Sequence, residues 1–301
     1  MRELRIGYLP TIYHTSHVLK GGRWVEKRMG IAVDWRLYAT GPAMTRAFSD
    51  KDIDIGYLGL PPAMIAMDRS VPIICVGGGH VEGTVMLATR RYRSLEELGE
   101  LRRVLEQFSG KKIGTPSRGS IHDVILRDLL ERLDLTEIEV ENYEWAEFLP
   151  EALEGGEIDA AVGTPSLFVA ASQQLDVRMV LPPDRLWPNN PSYGILVRKE
   201  LEAEETRVIL DFLALHKKAC KLIREEPMRA ANLVSKEIGG LSPEFVKKTY
   251  AVSPKILRPA LPRVNRLNHG VRANPQETGV HQRLFRRKRR LRKELHQKDS
   301  S

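Results

Sequence analysis

Ala47-Phe-Ser-Asp-Lys-Asp52-Ile53-Asp54-Ile55 returns 105 positions along the chain as Ala152-Leu-Glu-Gly-Gly-Glu157-Ile158-Asp159-Ala160. Working outward from this pair, other elements match at nearly the same offset. Ile6-Gly7 returns as Ile113-Gly114 at 107, Val33–Tyr38 as Glu139–Glu144 at 106, and Val71–Ile74 as Val177–Val180 at 106. Four elements in one order at one offset amount to an internal repeat. Each copy reads strand, helix, strand, helix, strand, helix, strand. Ile121, Val124, Ile125, Leu129 and Leu133 recur at helical spacing, which predicts a helix over 120–133. Strands alternating with helices of this length imply parallel sheets, so the expected fold is α/β with two similar lobes.

The second copy opens with Ser94-Leu-Glu-Glu97, a capping-box pattern that predicts a helix to about Phe108. It closes near Leu181, before Pro182-Pro183. Tyr193–Val197 reads as a further strand that returns to the first lobe, followed by helices at 203–224, 227–237 and 242–250. The expected domains are 1–90 plus 190–262, 91–189, and a tail at 263–301. The chain then crosses between lobes twice, near 88–93 and 182–192, which makes a hinge.

The chain has 301 residues and a formal net charge of +8, which suggests a polyanion binder until the charge is located. Residues 263–301 hold 12 Lys/Arg against 3 Asp/Glu, and residues 1–262 hold 35 against 36. The body is electrically neutral. Seven basic residues fall within 286–293 without interleaved aromatics, which favours a disordered tail over a nucleic-acid arm. No stretch approaches the roughly 18–20 apolar residues of a membrane-spanning helix. Two cysteines, Cys75 and Cys220, with no CxxC pair, exclude a disulfide framework and a zinc ribbon. The start of the chain shows no secretory signal, leaving a cytoplasmic location or an export signal removed from the sequence.

Ligands of open α/β sheets sit at the carboxyl ends of the strands. Here those loops are Pro10–Thr15, Thr40-Gly41-Pro42, Gly59-Leu60-Pro61, Gly77–His80, Ser117-Arg118-Gly119-Ser120 and Thr164-Pro165. Small and hydroxyl residues let backbone approach a ligand, and a helix N-terminus favours an anion. Ser117–Ser120 is the sharpest candidate, with two hydroxyls, a guanidinium and loop N–H groups at one helix start. Ser120 also suits a simple cap, and Arg118 is as well suited to pointing outward towards Glu147 as to gripping a ligand. Gly77–Gly79 lacks P-loop and dinucleotide spacing. His14 and His17 lack the further ligands a metal needs, so neither metal nor cofactor is expected. No nucleophile–base pair or cofactor fingerprint is legible.

Three stretches carry a family likeness: SDKDIDIGYLGLPPAMIA (49–66), FSGKKIGTPSRGSIHDVILRDLLERLDL (108–135) and ALEGGEIDAAVGTPSLFVAA (152–171). They resemble the substrate-binding proteins of ABC importers in the nitrate/sulfonate/taurine/bicarbonate group, which includes binders of the thiamine pyrimidine precursor. The resemblance covers about 3–260 and implies a periplasmic-binding-protein type II fold. It implies a solute held by Thr11, Gly41, Gly59, Ser117, Gly119, Ser120 and Thr164, with His14 and His80 as further candidates. It also implies a small-molecule ligand, membrane permease partners, a monomer, an extracytoplasmic location and no catalysis.

Two features depart from the resemblance. The chain shows no export signal, and after Arg263 the family's closing helix has no counterpart, as a reading-frame shift or a genuine basic tail would produce. A cytoplasmic biosynthetic enzyme on the same bilobal fold, of menaquinone-pathway or pyrimidine-synthase type, is the alternative. Truncation at Leu267 is expected to leave the melting temperature within a few degrees, because the charge run cannot be buried. A large drop in a thermal melt would show that the tail packs.

Overall fold

The computed structural model describes residues 3–79 and 81–252. His80 and the expected tail at 263–301 lie outside the described residues. The strands in the first half are β1 (Glu3–Tyr8), β2 (Ala32–Leu37), β3 (Ile55–Leu58), β4 (Ile73–Gly78) and β5 (Val85–Thr89). Those in the second are β6 (Lys112–Pro116), β7 (Glu139–Tyr143), β8 (Ala160–Gly163), β9 (Val177–Leu181) and β10 (Gly194–Arg198). The helices before β6 are α1 (Thr15–Gly22), α2 (Trp24–Met29), α3 (Gly41–Ser49), α4 (Leu60–Asp68), α5 (Leu95–Leu98) and α6 (Leu101–Glu106). Then come α7 (Ile121–Arg132), the 3-10 turn Ala146–Phe148, α8 (Leu149–Glu154), α9 (Pro165–Gln174) and α10 (Pro183–Leu186). The closing helices are α11 (Lys199–Glu204), α12 (Thr206–Glu225), α13 (Pro227–Ile238) and α14 (Pro243–Val252).

Two five-stranded sheets have the orders β2-β1-β3-β10-β4 and β7-β6-β8-β5-β9. These are one topology used twice, as the repeat requires. The sheets are not wholly parallel, however. β10 runs antiparallel between β3 and β4, and β5 antiparallel between β8 and β9. Each sheet thus receives its fourth strand directly from the other lobe. A strand entering across the hinge has no crossover helix to reverse it, so it pairs antiparallel. Because Val85–Thr89 belongs to the second sheet, the first crossing runs through 79–84 rather than 88–93. The helix expected from Ser94 to Phe108 is split. Its capping box forms, with Ser94 N–H donating to Glu97 at 2.7 Å, but Gly99 (φ 75°) ends the first piece.

Both faces of each sheet are covered. Ile55 and Tyr57 of β3 join a cluster with Phe212, Ile223 and Val246, while Leu58 turns to Met44, Phe48 and Ile73. In β8, Ala160 and Val162 face Phe108, Ile125 and Leu126, and Ala161 faces Leu149 and Leu167. This two-sided burial explains why the strands read as apolar runs without alternation. α14 inserts Val246 and Tyr250 into the first lobe's core, packs against α9, and ends with Val252 on the second lobe's cluster.

The repeated aspartates lock the amino ends of the sheets. Asp54 N–H donates to Arg5 O at 2.8 Å, and the Asp54 carboxylate accepts from Arg5 N–H at 3.0 Å and from its guanidinium at 2.9 and 3.1 Å. Arg198 of β10 adds a contact at 2.5 Å. In the second lobe Asp159 N–H donates to Lys112 O at 2.8 Å, and the carboxylate accepts from Lys112 N–H, Tyr92 and Arg91. Burial alone would raise the Asp54 carboxyl, but the hydrogen bonds from Arg5 and Arg198 outweigh it and hold it below the usual value.

Asp54→Asn is expected to destabilise the fold by about 3 kcal/mol at neutral pH, towards the low end for a broken buried pair because Arg5 reaches solvent. A carboxyl depressed in the folded state contributes above its unfolded pKa and loses that contribution as pH falls through the folded one. Denaturant melts of the two proteins should therefore start to draw together as pH falls below about 4 and meet only once the folded-state carboxyl is protonated.

Candidate functional site

The carboxyl ends of the two sheets face each other across a cavity of about 60 Å³. The first lobe lines it with Thr11, Thr40, Gly41 and Gly59, and the second with Ser120, His122, Glu147, Thr164 and Ser166. Four helix starts converge here. Thr40 caps α3 (Oγ1 to Ala43 N, 3.4 Å), Gly59 precedes α4, Ser120 caps α7 (Oγ to Asp123 N, 3.2 Å) and Thr164 caps α9 (Oγ1 to Leu167 N, 3.4 Å). Thr164 Oγ1 also lies 2.8 Å from Ser166 Oγ.

Gly59 is where the lobes meet. A Cβ built on it would stand 2.9 Å from Ile121 Cβ of the opposite lobe, a separation that real contacts do not show. Only glycine lets the start of α4 approach the start of α7 this closely. Gly41 has a local reason, since its Cβ would meet Pro62 at 2.7 Å.

The Ser117–Ser120 loop is arranged differently from the expected anion cradle. Gly119 N–H donates to the Asp123 carboxylate at 2.8 Å, and Ser120 N–H to Ser117 O at 2.9 Å. Asp123, at the third helical position, has folded back and taken the Gly119 donor, while the loop itself takes that of Ser120. It is itself held by Arg127 at 2.7 Å and Asn142 at 3.0 Å. Arg118 is exposed and, like Ser117 and Gly119, is not on the cavity wall. Of this loop, only Ser120 reaches the cavity. His14 also sits elsewhere, packed 4.0 Å from the Tyr193 ring and 5.3 Å from Tyr13 in the first lobe's core.

His122 takes the place these residues leave. It is buried on the cavity wall with Nδ1 3.0 Å from Thr84 Oγ1, and burial lowers its pKa to about 4, so it is neutral at pH 7. Thr84 belongs to the first crossing segment, which ties the hinge to the cavity wall. The signal was the second position of the predicted helix, where a side chain flanks the cap. Glu147 and Ser166 are the other polar wall residues not among the candidates read from the sequence; for Glu147 the sequence pointed only to a pairing with Arg118. The Glu147 surface is largely exposed, yet surrounding protein at the cavity raises its carboxyl above the usual range.

The cavity opens into a chamber of about 980 Å³ with which it shares Pro10, Ala146, Glu147, Thr164 and Ser166. On the chamber's first-lobe wall, His17 Nδ1 lies 2.7 Å from Glu237, and Lys20 donates to Glu237 and to Tyr8 OH, both at 2.6 Å. Burial would raise the Glu237 carboxyl, but His17 and Lys20 outweigh it and lower it.

One nucleophile and base are close. Cys220 Sγ lies 3.6 Å from His216 Nε2 on α12. His216 Nε2 faces Gly78 O at 3.0 Å and must donate to it, so Nδ1 accepts from Thr15 Oγ1 at 2.7 Å. Burial lowers this imidazole to about 4 and pushes the thiol up to about 12. The pair is a neutral strut joining α12, α1 and β4, buried away from the cavity. Among the described residues, no three His, Cys, Asp or Glu side chains group as a metal site would require.

Known proteins resemble this chain in sequence and in fold. The model of the NMT1-like family matches residues 1–238. A protein of Brucella abortus named as a binding protein is 22% identical over 242 residues, 77% of this chain and 70% of its own. The taurine-binding periplasmic protein of Escherichia coli is 28% identical over 123 residues, 39% of this chain and 35% of that protein. In structure, the alkanesulfonate-binding protein SsuA from Xanthomonas axonopodis pv. citri, bound to MOPS, superposes with a TM-score of 0.71 at 19% identity. That match covers 86% of this chain and 85% of SsuA, and it establishes the bilobal fold.

Gly59→Val is expected to hold the lobes apart, because the added side chain would fall on Ile121 of the opposite lobe. Small-angle scattering should give a larger radius of gyration, with the melting temperature little changed. Adding Ile121→Ala should restore the compact form, and an unchanged radius in Gly59→Val would show that the contact does not set closure.

Proposed function

We propose that this chain, which belongs to the NMT1-like family, is the solute-binding component of an ABC-type importer. The carrying observation is the cavity itself, walled by both sheets and lined by hydroxyls, glycines and one neutral histidine at four helix starts. Such a wall offers hydrogen bonds and helix dipoles to a polar or anionic group, which suits reversible capture. Thr11, Gly41, Gly59, Ser120 and Thr164 are the contact residues carried forward from the sequence, joined by His122, Glu147 and Ser166. The partners on this reading are a small organic solute and membrane permease subunits, and the protein acts outside the cytoplasm as a monomer.

An enzyme on the same fold would need an activated group at the cavity. His122 is close to a useful base in position, but its low pKa leaves it a weak one. The geometry therefore supports binding better than turnover.

A thermal-shift screen over sulfonates, taurine, nitrate, bicarbonate and aminopyrimidines tests the proposal. A true ligand at a hundredfold excess over Kd adds about 2.7 kcal/mol, or roughly 5–10 °C at this size. Ser120→Ala with Thr164→Ala should weaken binding by about one to two decades. Turnover of a biosynthetic intermediate, abolished by His122→Asn, would overturn the importer reading.

A further inference from the structure

Glu147 stands at the junction of the small cavity and the large chamber and lines both. Among the described residues no cation pairs with its carboxyl: the influences on it are burial and its own backbone N–H. The basic side chains on the chamber wall, His17 and Lys20, are both engaged by Glu237. Glu151 and Glu154, four and seven residues on from Glu147, add further negative charge to the same wall. A binding site for a simple anion would gain nothing from this arrangement, because an unpaired carboxylate repels the ligand. The hydroxyls of Ser120, Thr164 and Ser166 share the cavity with that carboxylate, so one end accepts a polar head while the other lacks a positive charge.

Size narrows the class further. A cavity of about 60 Å³ is several times the roughly 10–15 Å³ that one water requires, enough for a head group of a few heavy atoms. The chamber beyond Glu147 has room for an organic body and offers Ile12, Leu37, Leu167 and Phe245 as apolar wall. We propose that Glu147 selects a cationic nitrogen, so that the solute is an organic ammonium or zwitterion whose polar head lies against Ser120 and Thr164 and whose body extends into the chamber. This rests on the solute-binding reading of the site.

Calorimetric titration of matched pairs tests it: 2-aminoethanesulfonate against ethanesulfonate, 3-aminopropanoate against propanoate, and 4-(aminomethyl)benzenesulfonate against benzenesulfonate. The amine is expected to improve affinity by roughly ten- to a hundredfold in at least one pair. Glu147→Gln should erase that preference from both sides, weakening the amine and, with the repulsion gone, strengthening the amine-free partner. The glutamine changes no bond of the fold, so its melting curve should overlay that of the parent. Equal affinity within every pair, or a preference that survives Glu147→Gln, overturns the proposal. If none of the pairs binds but a solute without a cationic nitrogen does, the proposal fails and the binding reading stands. If no small solute binds, both fail.

Discussion

The hydrogen-bonded clip between an aspartate and the foot of the neighbouring strand governs the architecture. Asp54 pairs with Arg5 through backbone and side chain, and Asp159 does the same with Lys112. Both clips lie at the amino ends of their sheets, opposite the cavity. Fixing the feet of β1 with β3, and of β6 with β8, sets their register, and register decides where the carboxyl ends stop. Those ends launch α4, α7 and α9. A loose clip would therefore be felt at the cavity, although none of its atoms lies there. Arg198 extends the first clip to β10, so the strand arriving from the other lobe is anchored by the same carboxylate.

The repeat made the fold legible, because one sequence period maps onto one sheet topology. The direction of the crossing strands was not legible. Val85–Thr89 and Gly194–Arg198 are apolar runs buried on both faces, and such a run carries no mark of its direction. The cavity loops were found because strand ends, glycines and hydroxyls are local signals. What those loops spend their donors on depends on residues that local pattern does not join. Asp123 takes the Gly119 N–H, and Asn142, from the next strand, holds Asp123 in place. His14 was misplaced for a related reason: a histidine beside a cleft loop can turn inward when tyrosines offer ring faces.

Proximity alone would have chosen His216 and Cys220 as the chemically active pair. Their surroundings argue otherwise. An imidazole lowered to about 4 and a thiol raised to about 12 cannot exchange a proton near pH 7. The imidazole's two nitrogens instead satisfy a hydroxyl and a carbonyl that the packing of α12 would leave buried, a role worth more to the fold than a free base there.

The two lobes share a topology but have divided the work at the cavity. At equivalent loop positions the first lobe presents Gly41 and Gly59, whose lack of side chain permits close approach. The second presents Ser120, His122, Glu147, Thr164 and Ser166, which carry most of the polar atoms. With glycine at the point where the lobes meet, that contact orders no first-lobe rotamer and costs little entropy. The cavity's polar atoms are then concentrated in one lobe. Ile121, which meets Gly59, stands between Ser120 and His122, so the start of α7 both fixes how near the lobes come and supplies polar atoms to the wall, whereas the loops after β7 and β8 supply polar atoms alone.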